Sequence, residues 1–180
     1  MMKRFTYLFV VAMIAACSSI DCPVDAIVQT KYQIRNSDGT ELKLIDTLTI
    51  VSARQNGKDT SLIDPTLYNK GTNISEFSIP ISYQHPEDIL RFIFTNDSFR
   101  ETDTVWIKKN DIPHFESVDC SANFFHDITD VRYTQHAIDS LVLKNSHVDY
   151  DKKTVHFYLY PKTRNESAVA DCDDRRIGSV

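Results

Sequence analysis

Glycine is scarce in this chain, with 4 among 180 residues. A glycine-rich cradle for phosphate is thereby excluded, because such loops need several residues without a Cβ close together. Cysteine is also sparse: the 4 cysteines stand at positions 17, 22, 120 and 172. None of these spacings is the short Cys-x-x-Cys step of a zinc or redox site. The 6 histidines are scattered, so no metal site and no cofactor are expected. Excess positive charge is missing too, the formal net charge being -5. That balance argues against nucleic acid, which requires a basic face. No apolar run approaches the ~20 residues that a membrane-spanning helix needs. A Gly-x-Ser-x-Gly nucleophile elbow is likewise absent.

What is present starts at the first residue. The chain opens MMKRFTYLFVVAMIAAC, with Lys3 and Arg4 ahead of a short apolar stretch from Phe5 to Ala16. A basic start, a short apolar core and small residues at a boundary describe a secretory signal. The boundary Ile14-Ala15-Ala16-Cys17 resembles the lipobox of bacterial lipoproteins. There the cysteine thiol takes a diacylglyceryl group, and cleavage makes it the first residue. The plainer reading is an ordinary cleaved signal with Cys17 left for a disulfide. The expectation is a signal over residues 1–16, lipidation at Cys17 and a tether over 17–25. Losing Lys3 and Arg4, with no acid before Cys17, takes the formal charge from -5 to -7. Acyl chains, at ~0.8 kcal/mol per buried methylene, would then hold the chain on a membrane.

From Ala26 the pattern is alternation, the period of a strand. Val28, Thr30, Tyr32 and Ile34 share one parity, and NSDG (36–39) suggests a hairpin into ELKLIDTLTIVSA. Asn56-Gly57 signals a second hairpin returning through KDTSLI. DPTLYNKGT (64–72) is read as a loop. EFSIPISY places Phe77, Ile79, Ile81 and Tyr83 together, with Pro80 marking an edge strand. ILRFIFT and RETDTVWIKK form a hairpin about Asn96-Asp97-Ser98, with Leu90, Phe92 and Phe94 inward. NFFHDITDVRYT, HAIDSLVLKN and KTVHFYLY supply further strands. HAIDSLVLKN also fits a helical face through Ile138, Leu141 and Val142, but its β-branched residues favour a strand. Eight or nine short strands predict an all-β fold, an immunoglobulin-like antiparallel β-sandwich over residues 26–160, with a small barrel as the alternative. The polar stretch 161–180 is expected to be a disordered tail.

Several of these stretches occur together in one known family. The lipobox, Asp21 and Cys22 before the first strand, DTLTI, TDTVWI, the block from Phe115 to Asn145 and the final TVHFYLY resemble a family of uncharacterised lipoproteins from Bacteroides-type bacteria, known only as a domain of unknown function. The resemblance covers roughly residues 14–160. It is most specific around Cys120 and from Thr134 to Ser140. It implies an exported, lipid-anchored β-domain and no established activity. Where family members place glycine close after the central cysteine, this chain has Ser121-Ala122.

With Cys17 lipidated, Cys22 and Cys120 become the natural disulfide in an oxidising envelope, the alternatives being Cys172 as the partner of either, or free thiols. For catalysis, His136, Asp139 and Ser140 have suitable side chains, but neighbouring strand positions point oppositely, so no catalytic residue is read. The histidines, His126 and His136 included, are read as polar residues of solvated faces or loop edges, although strand parity places His126 with Ile128. His156, Tyr158 and Tyr160 share an outer parity of the last strand, suited to a glycan or partner strand or simply to packing. Asp46-Thr47-Leu48, Asp103-Thr104-Val105 and Asp139-Ser140-Leu141 resemble short bacterial O-glycosylation sites, making Thr47, Thr104 and Ser140 candidates. The sequence thus predicts a non-enzymatic lipoprotein of the cell envelope, held on the outer membrane. Its tether, SSID, lacks a lysine- or glutamine-led export signal, which favours the periplasmic face. Its expected role is to bind or assemble with an envelope protein or glycan. The alternatives are a small envelope hydrolase acting on glycan or peptide, or a subunit completed at a strand edge.

Overall fold

The computed structural model describes residues 27–53, 65–118, 120 and 122–162. These form ten strands, and none of the described residues is helical. In chain order they are β1 (Gln29–Ile34), β2 (Thr47–Ser52), β3 (Thr66–Gly71), β4 (Glu76–Pro80), β5 (Glu87–Thr95), β6 (Arg100–His114), β7 (Asn123–Tyr133), β8 (Ile138–Leu143), β9 (His147–Val148) and β10 (Phe157–Pro161). They make a four-stranded sheet, β4-β1-β10-β8, and a six-stranded sheet, β3-β2-β5-β6-β7-β9. The all-β, two-layered architecture expected from the alternation is what the chain adopts. All pairings are antiparallel except that of β1 with β10, which is parallel.

The alternation works because one parity of each strand enters a single core. Tyr32, Ile34, Phe77, Ile79, Phe157 and Leu159 of one sheet are buried against Leu48, Ile50, Phe92, Val105 and Ile107 of the other. Tyr32 stacks between Phe77 and Phe157, at 4.7 and 4.8 Å, and meets Phe92 edge-on at 5.8 Å. Full burial pushes the Tyr32 hydroxyl far above its ordinary pKa. Pro80 closes β4, which is an edge strand as its proline requires.

Three local expectations change. The 36–39 turn forms, with Gly39 at φ 84° and its N–H on the Asn36 carbonyl (2.8 Å). It yields only the Arg35–Glu41 bridge, because the chain then crosses to the other sheet before β2. The segment read as a loop over 64–72 contains β3, which pairs with β2 in an interrupted register. The ladder of β2 recruits a polar segment that has no apolar alternation of its own. Tyr83 lies beyond β4 and is 58% exposed, stacked on Phe124 at 4.9 Å. The Asn56-Gly57 hairpin and KDTSLI lie outside the described residues, as do residues 1–26 and 163–180.

HAIDSLVLKN is a strand, and its helix-like spacing has a cause. Ser140 pairs with Tyr160 but Ile138 with Pro161, so Asp139 is an extra residue in the ladder. This bulge puts Ile138 and Leu141, three apart, on the same buried face.

The registers fix which turns share an end. Gln29 pairs with Pro80, Ser52 with Leu90, and Glu87 with Lys108. The start of β1, the β4–β5 turn and the end of β2 therefore gather at one end of the sandwich. From that end β6 and β7 run on past β5 as an arm, paired from Lys109–Ile128 out to His114–Asn123. Six residues of extended chain make the arm ~20 Å long. The described chain leaves at the opposite end, where the Lys162 N–H bonds the Ala137 carbonyl (2.8 Å).

Candidate functional site

Strand β6 presents an unusual inward face: Asp103, Val105, Ile107 and Lys109 are all buried. Two charges thus flank two aliphatic residues, and a buried charge must be paired or fully hydrogen-bonded. The two ends meet that requirement differently.

At Asp103 the solution is a backbone nest. Oδ1 accepts from Thr134 Oγ1 (2.6 Å) and the His136 N–H (2.7 Å), while Oδ2 accepts from the N–H groups of Ala137 (2.7 Å) and Ile138 (2.8 Å). Burial alone would raise its carboxyl pKa. The bonds from Thr134, His136, Ile138 and Ala137 outweigh that and hold it below the ordinary carboxylate range. Thr134 also accepts from the Thr104 N–H (2.9 Å), locking the β7–β8 crossover to β6. The two distinctive stretches TDTVWI and TQHAIDS meet here, so their chemistry is architectural.

At the other end, Lys109 Nζ is buried between three acceptors. It donates to the His85 carbonyl (2.5 Å) and lies 3.6 Å from Asp111 and 3.8 Å from Asp88. Asp111 also bonds His126 Nδ1 (2.6 Å), and Asp88 accepts from the Ser82 N–H (3.1 Å). Burial pushes the Asp88 carboxyl up, against the pull of the Lys109 charge. Burial pushes the His126 imidazole down, despite Asp111 beside it. His126 is therefore a buried member of this cluster, sharing the inward parity of Ile128, and the expectation that it sits on a solvated face is corrected.

Asp88 faces a cleft of about 550 Å³ at the arm end of the sandwich. Leu67, Ile81, Ile89 and Leu90 line it, and its polar residues include Tyr83, His85, Glu87 and Asp88. An apolar pocket of this volume with a few convergent polar groups has the character of a ligand seat. The arm beyond it holds a ring cluster: His114 stacks on Phe125 (4.3 Å), and Tyr150 meets Phe125 edge-on (4.9 Å). At the arm's tip Phe115 is 66% and Val118 is 99% exposed.

The residues singled out from sequence are dispersed. Cys17, Cys22 and Cys172 lie outside the described residues. Cys120 is in the turn at the arm's tip, its N–H on the Ser117 carbonyl (3.2 Å). Thr47, Thr104 and Ser140 are part-buried within β2, β6 and β8. Asp103, which precedes Thr104, is committed to the nest. Asp139 is the exposed bulge residue and Ser140 pairs opposite Tyr160. His136 contributes its backbone to Asp103. Of the outer aromatic parity, Tyr158 lies beneath the Arg35 guanidinium (3.8 Å to the ring centroid). His156 is buried, its Nδ1 accepting the Lys31 N–H (3.0 Å). Among the described residues no three His, Cys, Asp or Glu side chains converge as a metal site. The Lys109 cluster is not legible in the sequence as a cluster, although its signal is there in the parity of Asp103, Val105, Ile107 and Lys109.

A two-sheet β-domain with a charged cluster behind an end cleft is thus the class of protein that the fold and site define. Residues 47–161, from β2 through the last residue of β10, match a family of unknown function (DUF6452), and the chain belongs to that family. No curated protein and no solved structure matches the chain.

Proposed function

We propose that the protein is an envelope lipoprotein of Bacteroides-type bacteria, anchored through Cys17, and that it acts as a binding or assembly module. The observation that carries the binding role is the cleft. It has the volume of a small-ligand site, apolar walls, and Tyr83, His85 and Asp88 among its lining. A segment of peptide or glycan from an envelope partner suits that mixture, with Tyr83 as the accessible aromatic platform. A photoreactive residue at Tyr83 in the native envelope should form a discrete adduct, lost when Leu67→Trp fills the cleft. An adduct that persists in the filled variant, or none at all, would remove the cleft from the function.

A hydrolase reading has one feature in its favour, the raised carboxyl of Asp88 on the cleft wall. Asp88→Asn separates the two readings: it abolishes hydrolysis but leaves an adduct at Tyr83.

Cys22 is the partner we assign to Cys120. Cys120 is the one cysteine among the described residues, and an oxidising envelope favours its pairing. The described chain begins at Ile27, at the end of the sandwich from which the arm leaves, and the five residues back to Cys22 reach ~17 Å, close to the arm's length. Closing so long a loop stabilises by up to ~4.7 kcal/mol in the chain-entropy model. Non-reducing peptide mapping should recover a Cys22–Cys120 peptide; a Cys120–Cys172 peptide would refute the assignment.

A further inference from the structure

We infer that the tip of the β6–β7 arm rests in the interfacial layer of the membrane that carries the protein. The inference builds on the lipoprotein reading above and names a second contact that the anchor would create.

Three observations point to it. The arm leaves the sandwich at the end where the described chain starts, as the pairings of Gln29 with Pro80, Ser52 with Leu90 and Glu87 with Lys108 require. The described chain therefore starts at the arm's end, not at the end where Lys162 departs. Cys120 stands in the turn at the arm's tip, its N–H on the Ser117 carbonyl (3.2 Å). If its partner is Cys22, that bond stands five positions from the lipidated Cys17, a span of ~17 Å when fully extended. Finally, the tip is apolar where a soluble hairpin tip is ordinarily polar: Phe115 is 66% exposed, Val118 is 99% exposed and Ile112 is 37% exposed. An acyl-linked cysteine this close holds these side chains within reach of the bilayer surface.

The chemistry also selects the layer. Among the described residues the exposed charged group beside these side chains is Glu116, while Asp111 is half-buried against His126 and the Lys109 ammonium is buried. Anionic headgroups are therefore not the attraction, and the contact is with the acyl–headgroup boundary, where phenylalanine partitions well.

The test uses full-length protein purified from the envelope and reconstituted in phosphatidylcholine vesicles, in a Trp106→Phe background. An indole placed by Phe115→Trp should lose at least half its emission when the lipid is brominated on its acyl chains. One placed by Ile45→Trp, at the opposite end and 88% exposed in the native chain, should lose none. Quenching should persist in ~0.5 M salt, where surface charge attraction is screened. Intact mass spectrometry of the same sample reads the acyl groups. Acylated protein with no quenching at position 115 overturns this inference and leaves the lipoprotein reading standing. Protein without acyl groups overturns both.

Discussion

At the scale of single residues, the decisive ones are charged residues in apolar positions. Asp103 is fully buried, yet it accepts four hydrogen bonds from the crossover. Asp103→Asn keeps the shape but turns an amide N–H₂ toward groups that are themselves donors. Hydrogen bonds to a charged group contribute ~1.5–3 kcal/mol each, so a loss of ~3 kcal/mol or more is expected in urea unfolding at about pH 7. Because the folded pKa of Asp103 is depressed, its contribution is complete above the ordinary unfolded carboxylate value. It is lost as pH falls through the folded value. The gap between wild type and variant should therefore narrow below about pH 4. A gap that stays constant into acid would show that the carboxylate charge is not what the nest stabilises.

At the scale of elements, irregularities decide which side chains meet. The bulge at Asp139 turns a strand into a three-residue repeat of burial, and a second register shift lies between Lys108 and Lys109 as the arm begins. Edge strand β3 depends on close approach: a Cβ at Gly71 would lie 2.3 Å from the Tyr68 ring, which itself packs on Phe77 at 5.2 Å. Gly71→Ala must displace that ring from the core edge. A loss of ~1–3 kcal/mol is expected, as for other overpacking changes. Thermal unfolding checks it, and Gly71→Ala with Tyr68→Ala should cost no more than Tyr68→Ala alone. Full additivity of the two would mean that the ring is not the obstacle.

At the scale of the whole molecule, the two ends differ in kind. One end gathers the turns, the cleft, the arm and the chain entry; the other is tied by Asp103 and releases the chain at Lys162. Buried histidines link the cleft end to pH. His126 and His156 are both held below the ordinary imidazole value, first by burial. Unfolded chains therefore take up these protons first. Their contribution is intact above about pH 6.5 and is lost as pH falls toward the folded values. Asp88 acts oppositely: with a raised folded pKa, it returns some stability on acidification. The melting temperature should fall between about pH 7 and pH 5, and each ~1 kcal/mol lost is roughly 2–4 °C in a domain of this size. His156→Gln, which retains an acceptor for the Lys31 N–H, should flatten that fall. An unchanged slope would remove His156 as its source.

The sequence by itself determined most of the strands and their buried faces, because period-two alternation is a local property that any packed sheet enforces. It determined the class of fold and the edge role of Pro80, through a missing backbone donor. It also carried the clue to buried charge, in the matched parity of Asp103 and Lys109, but not the partners of either. Those include residues far along the chain, such as Ile138 for Asp103 and His85 for Lys109, brought close only when neighbouring strands fold back on β6. The same holds for β3, whose polar segment becomes a strand only because β2 offers it an edge. Sheet order, the cleft and the arm beyond it belong to the tertiary structure. They depend on which strands pair and how far each pairing runs, and alternation along one strand is blind to both.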